Sequence, residues 1–356
     1  MASVFLIRRA VALVALVLTI IVIWFLVSLF EPFAGSGSGR VTVTIPLNSG
    51  VSTISSILER HGVISSTFFF KIRVELAGDR GSLRAGVYEL KHGMSYSAVL
   101  SALTSRSAGV QLGEVTITPG HSRKQVQALL AASGIKGNYV KATVSSPLLD
   151  PAAYGAPSHP HSLEGFLFPD TYQLTRPVKI SQLVADQLAR FKQEFATVDL
   201  SYARSRNLTG YDVLKIASLL SEESMLPHDA PLVASVIYNR LRDNMYLGLD
   251  STVAYATGNY GQLTAGDLAS RSPWNTTNHH GLPPTPIDSP DLAAIEAAAH
   301  PAKSDYLYFI NRVCGNGALR FTASYAQFLG WSADWNRASA RAAKHGGSPE
   351  FCGKQG

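Results

Sequence analysis

The chain has 356 residues, 46% of them hydrophobic and 16% charged, which suffices for a buried core and two folded units and excludes a disordered protein. Lys and Arg outnumber Asp and Glu by 31 to 25, but the surplus is scattered and no aromatic-basic module accompanies it, so nucleic acid is not an expected partner. With two cysteines, no His-Glu-x-x-His and no clustered His ligands, a dedicated metal site has little support.

Residues Ala10 to Phe30 run for 21 positions without a charge. As a helix they would span roughly 31 Å, the hydrocarbon thickness of a bilayer. A cleaved signal peptide is the competing reading, but the stretch exceeds a signal core and no Ala-x-Ala site follows. Arg8 and Arg9 precede the span and Glu31 follows it, so the positive-inside rule predicts a single-pass protein of the cytoplasmic membrane. Residues 1–9 would form a cytoplasmic tail, and everything after the span would be extracytoplasmic. Residues 31–40 contain Gly-Ser-Gly-Ser-Gly, expected to be a flexible linker on which the body stands off the membrane.

An α+β module is expected over 41–147. Val41 to Ile45 alternates as a strand does, Val51 to His61 and Ser65 to Ala77 read as helices, and Gly86 to Leu90 reads as a second strand. A helix at Tyr96 to Thr104, a strand at Val110 to Ile117 and a helix from Ser122 to Ala132 follow. Pro, Ser, Gly and His crowd between Ser145 and His161, which marks a boundary to a helix-rich unit over 148–335. The tail, 336–356, has no structural reading. Its Cys352 and the body's Cys314 would pair in an oxidising compartment; two free thiols are the alternative.

The stretch Tyr211 to Ser224 places Val213, Ile216, Ala217 and Leu220 on one helical stripe, and Glu223 continues that stripe. Glu222 falls on the opposite face with Lys215 and Ser218, where a solvated charge is ordinary. A carboxyl on an apolar stripe is costly when ionised, so Glu223 is expected to hold a proton near neutral pH, as a general acid must. A helix that ends at Glu223 would equally let the side chain turn into water.

Several separated motifs occur in order: LEGFLFPDTY at Leu163 to Tyr172, IASLLSEES at Ile216 to Ser224, ASVIYNRL at Ala234 to Leu241, an Asp-x-Thr-x-x-Tyr run at Asp250 to Tyr255, GLPPTPI at Gly281 to Ile287, and HPAKSDYLYFI at His300 to Ile310. Together they resemble the YceG-like endolytic murein transglycosylases, the MltG family, whose LysM-like domain the first module resembles in element order. The resemblance places the catalytic glutamate at Glu223. It also departs: the family's Gln-x-Asp-Pro-Thr appears as Gly248-Leu249-Asp250-Ser251-Thr252, and Thr285 replaces a glycine in Gly-Leu-Pro-Pro-Gly-Pro-Ile.

Substrate contacts are considered at Glu164, Tyr172, Asn239, Asp250, Thr252 and Asn275. All but Asn275 have a plainer reading. Glu164 would line the cleft or be a buried carboxylate held by backbone donors. Asn239 would bond Glu223 or satisfy a neighbouring loop. Asp250 and Thr252 would be turn and capping residues, and Tyr172, like Tyr255 and Trp274, would be core.

The resemblance implies cleavage between N-acetylmuramic acid and N-acetylglucosamine in nascent glycan strands, with a 1,6-anhydromuramyl end, strand termination, no cofactor, and peptidoglycan synthases as partners. Two other readings compete: an inactive wall-binding scaffold, and a muramidase-type hydrolase that pairs Glu164 with Glu223.

Overall fold

The computed structural model describes residues 2–31, 37–47, 49–79, 81–105, 109–110, 112–157, 162–224, 226–345 and 347–351. Two compact units emerge, one of residues up to 115 together with 173–179, the other of 116–172 and 180 onward.

The first unit opens with helix α1 (Ala2–Phe30), whose Leu13–Phe30 stretch is apolar enough to cross a membrane. Strand β1 (Ser38–Ile45), helices α2 (Val51–Arg60) and α3 (Thr67–Ala77) and strand β2 (Gly86–His92) then follow in the expected β-α-α-β order. The strands pair antiparallel, Val43 opposite Tyr88 and Val41 opposite Leu90. Their alternation turns Val43, Ile45, Tyr88 and Leu90 onto one face, where Ile54, Leu58, Phe70 and Val74 from the helices close the core. Helix α4 (Tyr96–Thr104) starts where Ser95 accepts a bond from the Ala98 amide. Strand β3 (Gly109–Val110) adds to β2, while β4 (Leu112–Thr116) pairs with β5 (Thr171–Thr175).

The expected spacer takes a different form. Gly35 and Ser36 lie outside the described residues, but Ser38 to Arg40 belong to β1. Gly37 has φ +78°, and a Cβ there would come within 2.7 Å of the His92 carbonyl, so the glycine serves close backbone packing. The end of α1 is also built into the module: Leu29 is buried in its core, and the Glu31 carboxylate accepts bonds from Ser65 Oγ (2.8 Å) and the Tyr96 amide (3.0 Å). Glycine-serine composition indicated freedom; from Ser38 onward, pairing with β2 removes it.

The second unit contains α5 (Arg123–Ala132), α6 (Tyr139–Ala142), α7 (Ile180–Phe195), α8 (Ser201–Ser205), α9 (Gly210–Glu223), α10 (Ala230–Arg242), α11 (Asp250–Thr257), α12 (Ala265–Leu268), α13 (Leu292–Ala299), the hairpin β6 (Tyr308–Asn311) and β7 (Leu319–Thr322), and α14 (Tyr325–His345). It begins some thirty residues before the Pro-rich boundary read from the sequence, at about 116 rather than 147. Long-range hydrogen bonds hold 116–147 there: Tyr139 donates to Gln187 Oε1, and the Leu163 amide to the Thr143 carbonyl. Helix α14 likewise runs through the expected end at Trp335 to His345. The Cys314 amide bonds the Pro349 carbonyl and the Asn316 amide the Glu350 carbonyl, which ties the segment after α14 to the hairpin loop. Cys314 is in a disulfide, while Cys352 lies outside the described residues.

At the centre stands α9, opened by a Thr209–Asp212 capping box and packed on α10, α11 and α13. Because neighbours cover it on several sides, its burial exceeds one amphipathic stripe. Ser218, expected in water, is fully buried; its hydroxyl donates to the Lys215 carbonyl and accepts from the Ile287 amide (3.1 Å). Lys215 pairs with Asp212 at 3.2 Å, and Glu222 is exposed as expected.

Candidate active site

Glu223 is the last residue of α9; Ser224 then leaves the helix in extended conformation. The side chain is half-buried and reaches the first turn of α11, where Ser251 Oγ donates to its Oε1 at 2.7 Å. The Ser251 amide adds a second bond. Burial pushes the carboxyl up to about 7, the nearby negative charges of Asp250 and Glu222 push the same way, and the two Ser251 donors oppose them. Such a carboxyl is shared between its acid and base forms at neutral pH, so it can give a proton and take one back. The Arg240 guanidinium feels the Glu223 charge but is anchored elsewhere, on the Leu307 and Leu247 carbonyls.

The start of α11 is fastened from below. The Gly248 amide donates to the Thr276 carbonyl (2.9 Å) and the Leu249 amide to Thr276 Oγ1 (3.2 Å). Thr252 Oγ1, fully buried, bonds the Leu249 carbonyl and the Thr276 hydroxyl. Thr252 is therefore a latch that fixes where Ser251 meets Glu223. Asp250 is exposed beside it and contributes charge to the Glu223 carboxyl.

Glu164 is only 2% exposed, which fits the plainer of its two readings. Its oxygens accept from the Arg123 amide (3.0 and 3.3 Å) and from the Tyr255 hydroxyl (3.3 Å). Burial nevertheless pushes it up to about 8, against the pull of Arg123 and these donors. Asp288 is buried as well, and neither of its carboxyl oxygens has a hydrogen-bond partner among the described residues. Burial drives its pKa far above the usual carboxylate range, and the charges of Glu222, Glu164 and Asp291 add to that.

The other expected contacts stand in the framework. Tyr172 is buried and donates to the Phe168 carbonyl at 2.6 Å. Asn239 donates to the Ser304 and Tyr306 carbonyls and accepts from Arg242 Nη1, so it satisfies a loop and makes no bond to Glu223. Asn275, fully buried, gathers its own loop through the Leu268 and Ser270 carbonyls and the Thr277 amide. A cavity of about 240 Å³ borders the end of α9 at Leu220, Ser221 and Ser224. A larger one, about 640 Å³, lies at the other end of α9 beside Asp212, Lys215 and Asn239. The eight residues from Lys215 to Glu223 put it about 12 Å from the carboxyl along the helix, so cavity size does not mark the chemistry.

The YceG-like family model matches residues 43–332. The chain belongs to the YceG-like family. It is 33% identical over 311 residues to an endolytic murein transglycosylase of Bacillus subtilis, covering 83% of this chain and 84% of that protein. It is 31% identical over 313 residues to one of Streptococcus pneumoniae strain D39, covering 78% of this chain and 55% of that protein. A crystal structure of a yceG-like protein from Listeria monocytogenes superposes with TM-score 0.55 at 28% identity, covering 83% of this chain and all 100% of that one.

Two departures from the YceG-like motifs acquire roles here. Ser251, where the resemblance has proline, supplies the hydroxyl on Glu223. Thr285, where it has glycine, is buried, accepts from Trp274 Nε1 (2.9 Å) and donates to the Pro286 carbonyl. In the sequence both stand only as departures, and nothing there singles out Arg123 or Asp288. Asp288 follows directly on the proline-rich motif, but only folding reveals its burial. The family motifs also interlock: Gly165, at φ +87°, leaves room for Pro286, whose Cγ would lie 2.5 Å from a Cβ there.

Proposed function

We propose that this chain is an endolytic peptidoglycan lytic transglycosylase, a lyase with Glu223 as its acid and base, anchored by α1 with everything after that helix outside the cytoplasmic membrane. The observation that carries the reading is a carboxyl at the end of α9, poised at about 7 and held by Ser251. The names of the Bacillus and Streptococcus relatives support the reaction class. Protonated Glu223 donates to the oxygen linking N-acetylmuramic acid to N-acetylglucosamine, and that bond breaks at the muramyl anomeric carbon. The carboxylate so formed takes the proton of the muramyl C6 hydroxyl as its oxygen closes on that carbon, leaving a 1,6-anhydro end. Holding the nucleophile inside the same sugar replaces an activated water, which is why one carboxyl suffices.

The hydrolase reading asks Glu164 to be the second carboxylate. At 2% exposure, with its oxygens taken by Arg123 and Tyr255, Glu164 has no route to a substrate water. The antiparallel β-α-α-β order of the first unit supports a LysM-like, glycan-holding role for it. The full chain incubated with peptidoglycan should release anhydromuramyl fragments by mass spectrometry, and Glu223→Gln should not. Equal release by both would overturn the assignment of Glu223, and reducing-end products would overturn the lyase reading.

A further inference from the structure

Aromatic rings join α1 to α3 in a short chain. The Phe69 ring lies 5.9 Å from Trp24 and 5.6 Å from Phe25, and the Phe68 ring lies 5.2 Å from Phe69. Further along both helices, the Arg73 guanidinium sits 5.5 Å from the Phe30 ring. The start of α3 is therefore level with Trp24 and Phe25, and α3 climbs beside α1 until Arg73 meets Phe30. Trp24 precedes Phe30 by six residues, about 9 Å of helix rise.

This ordering has a consequence if α1 spans the bilayer, the reading on which the inference rests. The apolar span ends at Phe30, so Trp24 and Phe25 lie inside its outer edge. Rings in contact with them share that depth. Phe69 is buried within the module, but Phe68, whose ring meets the edge of Phe69, is 59% exposed. An aromatic side chain left facing outward at that level meets lipid rather than water, and aromatic rings favour this zone. Arg73, one turn further along, returns charge at the level of the headgroups.

We propose that the N-terminal end of α3 is a membrane-docking surface, with Phe68 inserted into the outer leaflet beside Trp24, so that the first unit rides on the bilayer instead of hanging from a tether. Its occupant is the lipid surface, argued from continuity of the Trp24, Phe69 and Phe68 rings with the apolar span.

The test uses the full chain, unreduced, in vesicles of phosphatidylethanolamine and phosphatidylglycerol. Nitroxide labels are placed at Phe68→Cys, at Trp24→Cys, and at Thr53→Cys as an exposed position on α2. Labels in lipid gain relaxation from oxygen and lose it from a water-soluble nickel complex. The expected result is that position 68 behaves as 24 does and 53 shows the reverse. Position 24 in lipid with 68 open to nickel would overturn the proposal and leave the anchor standing. Both open to nickel would remove the anchor reading and the proposal with it. Position 68 shielded from both relaxants would mean that a second copy of the chain covers the surface, and would also overturn it. Because Phe68 is exposed, its replacement leaves the core intact, which circular dichroism of the labelled protein checks.

Discussion

Replacing Ser251 tests whether the Glu223 carboxyl is tuned as its surroundings indicate. The Ser251 hydroxyl donates to Glu223 at 2.7 Å and thereby favours the charged form. A hydrogen bond to a charged group contributes about 1.5–3 kcal/mol, and about 1.4 kcal/mol corresponds to one pH unit, so Ser251→Ala should raise the carboxyl from about 7 by about one to two pH units. The sign follows from the proposed reaction: Glu223 must carry the proton, so activity should fall as pH rises through this value. In the variant that fall moves to higher pH. Ser251→Pro removes the amide donor as well and should move it further, since proline fits the first turn of a helix. Ser251→Thr keeps the hydroxyl and should restore the parent profile. The assay is the pH dependence of kcat/KM for release of anhydromuramyl fragments. An alkaline limb that stays in place in both the alanine and proline variants would refute the argument that Ser251 acts on Glu223.

Three further outcomes are expected. Glu164 is raised from 4.5 to about 8, so the folded chain binds more protons there than the unfolded chain, and stability falls as pH climbs from about 4.5 through 8. Asp288 adds in the same direction. The full shift corresponds to at most about 5 kcal/mol, so chemical unfolding should show lower stability at pH 8.5 than at 5.5, and Glu164→Gln should flatten the slope; a flat profile in the parent would refute the burial argument. Thr252→Val keeps the shape but leaves the Leu249 carbonyl and Thr276 hydroxyl short of a partner, which should cost about 1–3 kcal/mol by calorimetry and lower kcat by loosening the Ser251 contact. Thr285→Gly should lower the melting temperature by orphaning the Trp274 indole N–H, with kcat nearly unchanged because Thr285 makes no bond to Glu223.

Much of the first unit was legible because its signals are local. The strand at Val41 to Ile45, the helix at Tyr96 to Thr104 and the second strand from Gly86 all follow from alternation or periodicity of nearby residues. What escaped was long-range. Gly-Ser-Gly reads as freedom until His92 pairs with it, and Ser218 reads as solvated until the loop at Ile287 closes over it. The end at Trp335 failed for the reason that α14 carries no stop signal there and continues to His345. At the site, the helical phase that set Glu223 apart from Glu222 agrees with their burial. Its partner did not follow from phase, since Ser251 is twenty-eight residues away and meets Glu223 only because Thr252 and Thr276 pin the start of α11.

The position of Glu223 between two helix ends explains why its proton is neither held fast nor lost. At the C-terminus of α9 the helix presents its negative pole, which disfavours a carboxylate; at the N-terminus of α11 the opposite pole favours one. Burial, Asp250 and Glu222 add to the first tendency, and the two Ser251 donors add to the second. A carboxyl buried without α11 would be locked in its acid form, able to protonate a leaving oxygen but a poor acceptor for the C6 proton. One fully exposed would ionise near 4.5 and rarely carry the proton at neutral pH. The two demands that the proposed reaction makes of a single acid and base would thus be met by opposing fields at one atom pair, and Ser251 is the member of that balance that substitution can remove most cleanly.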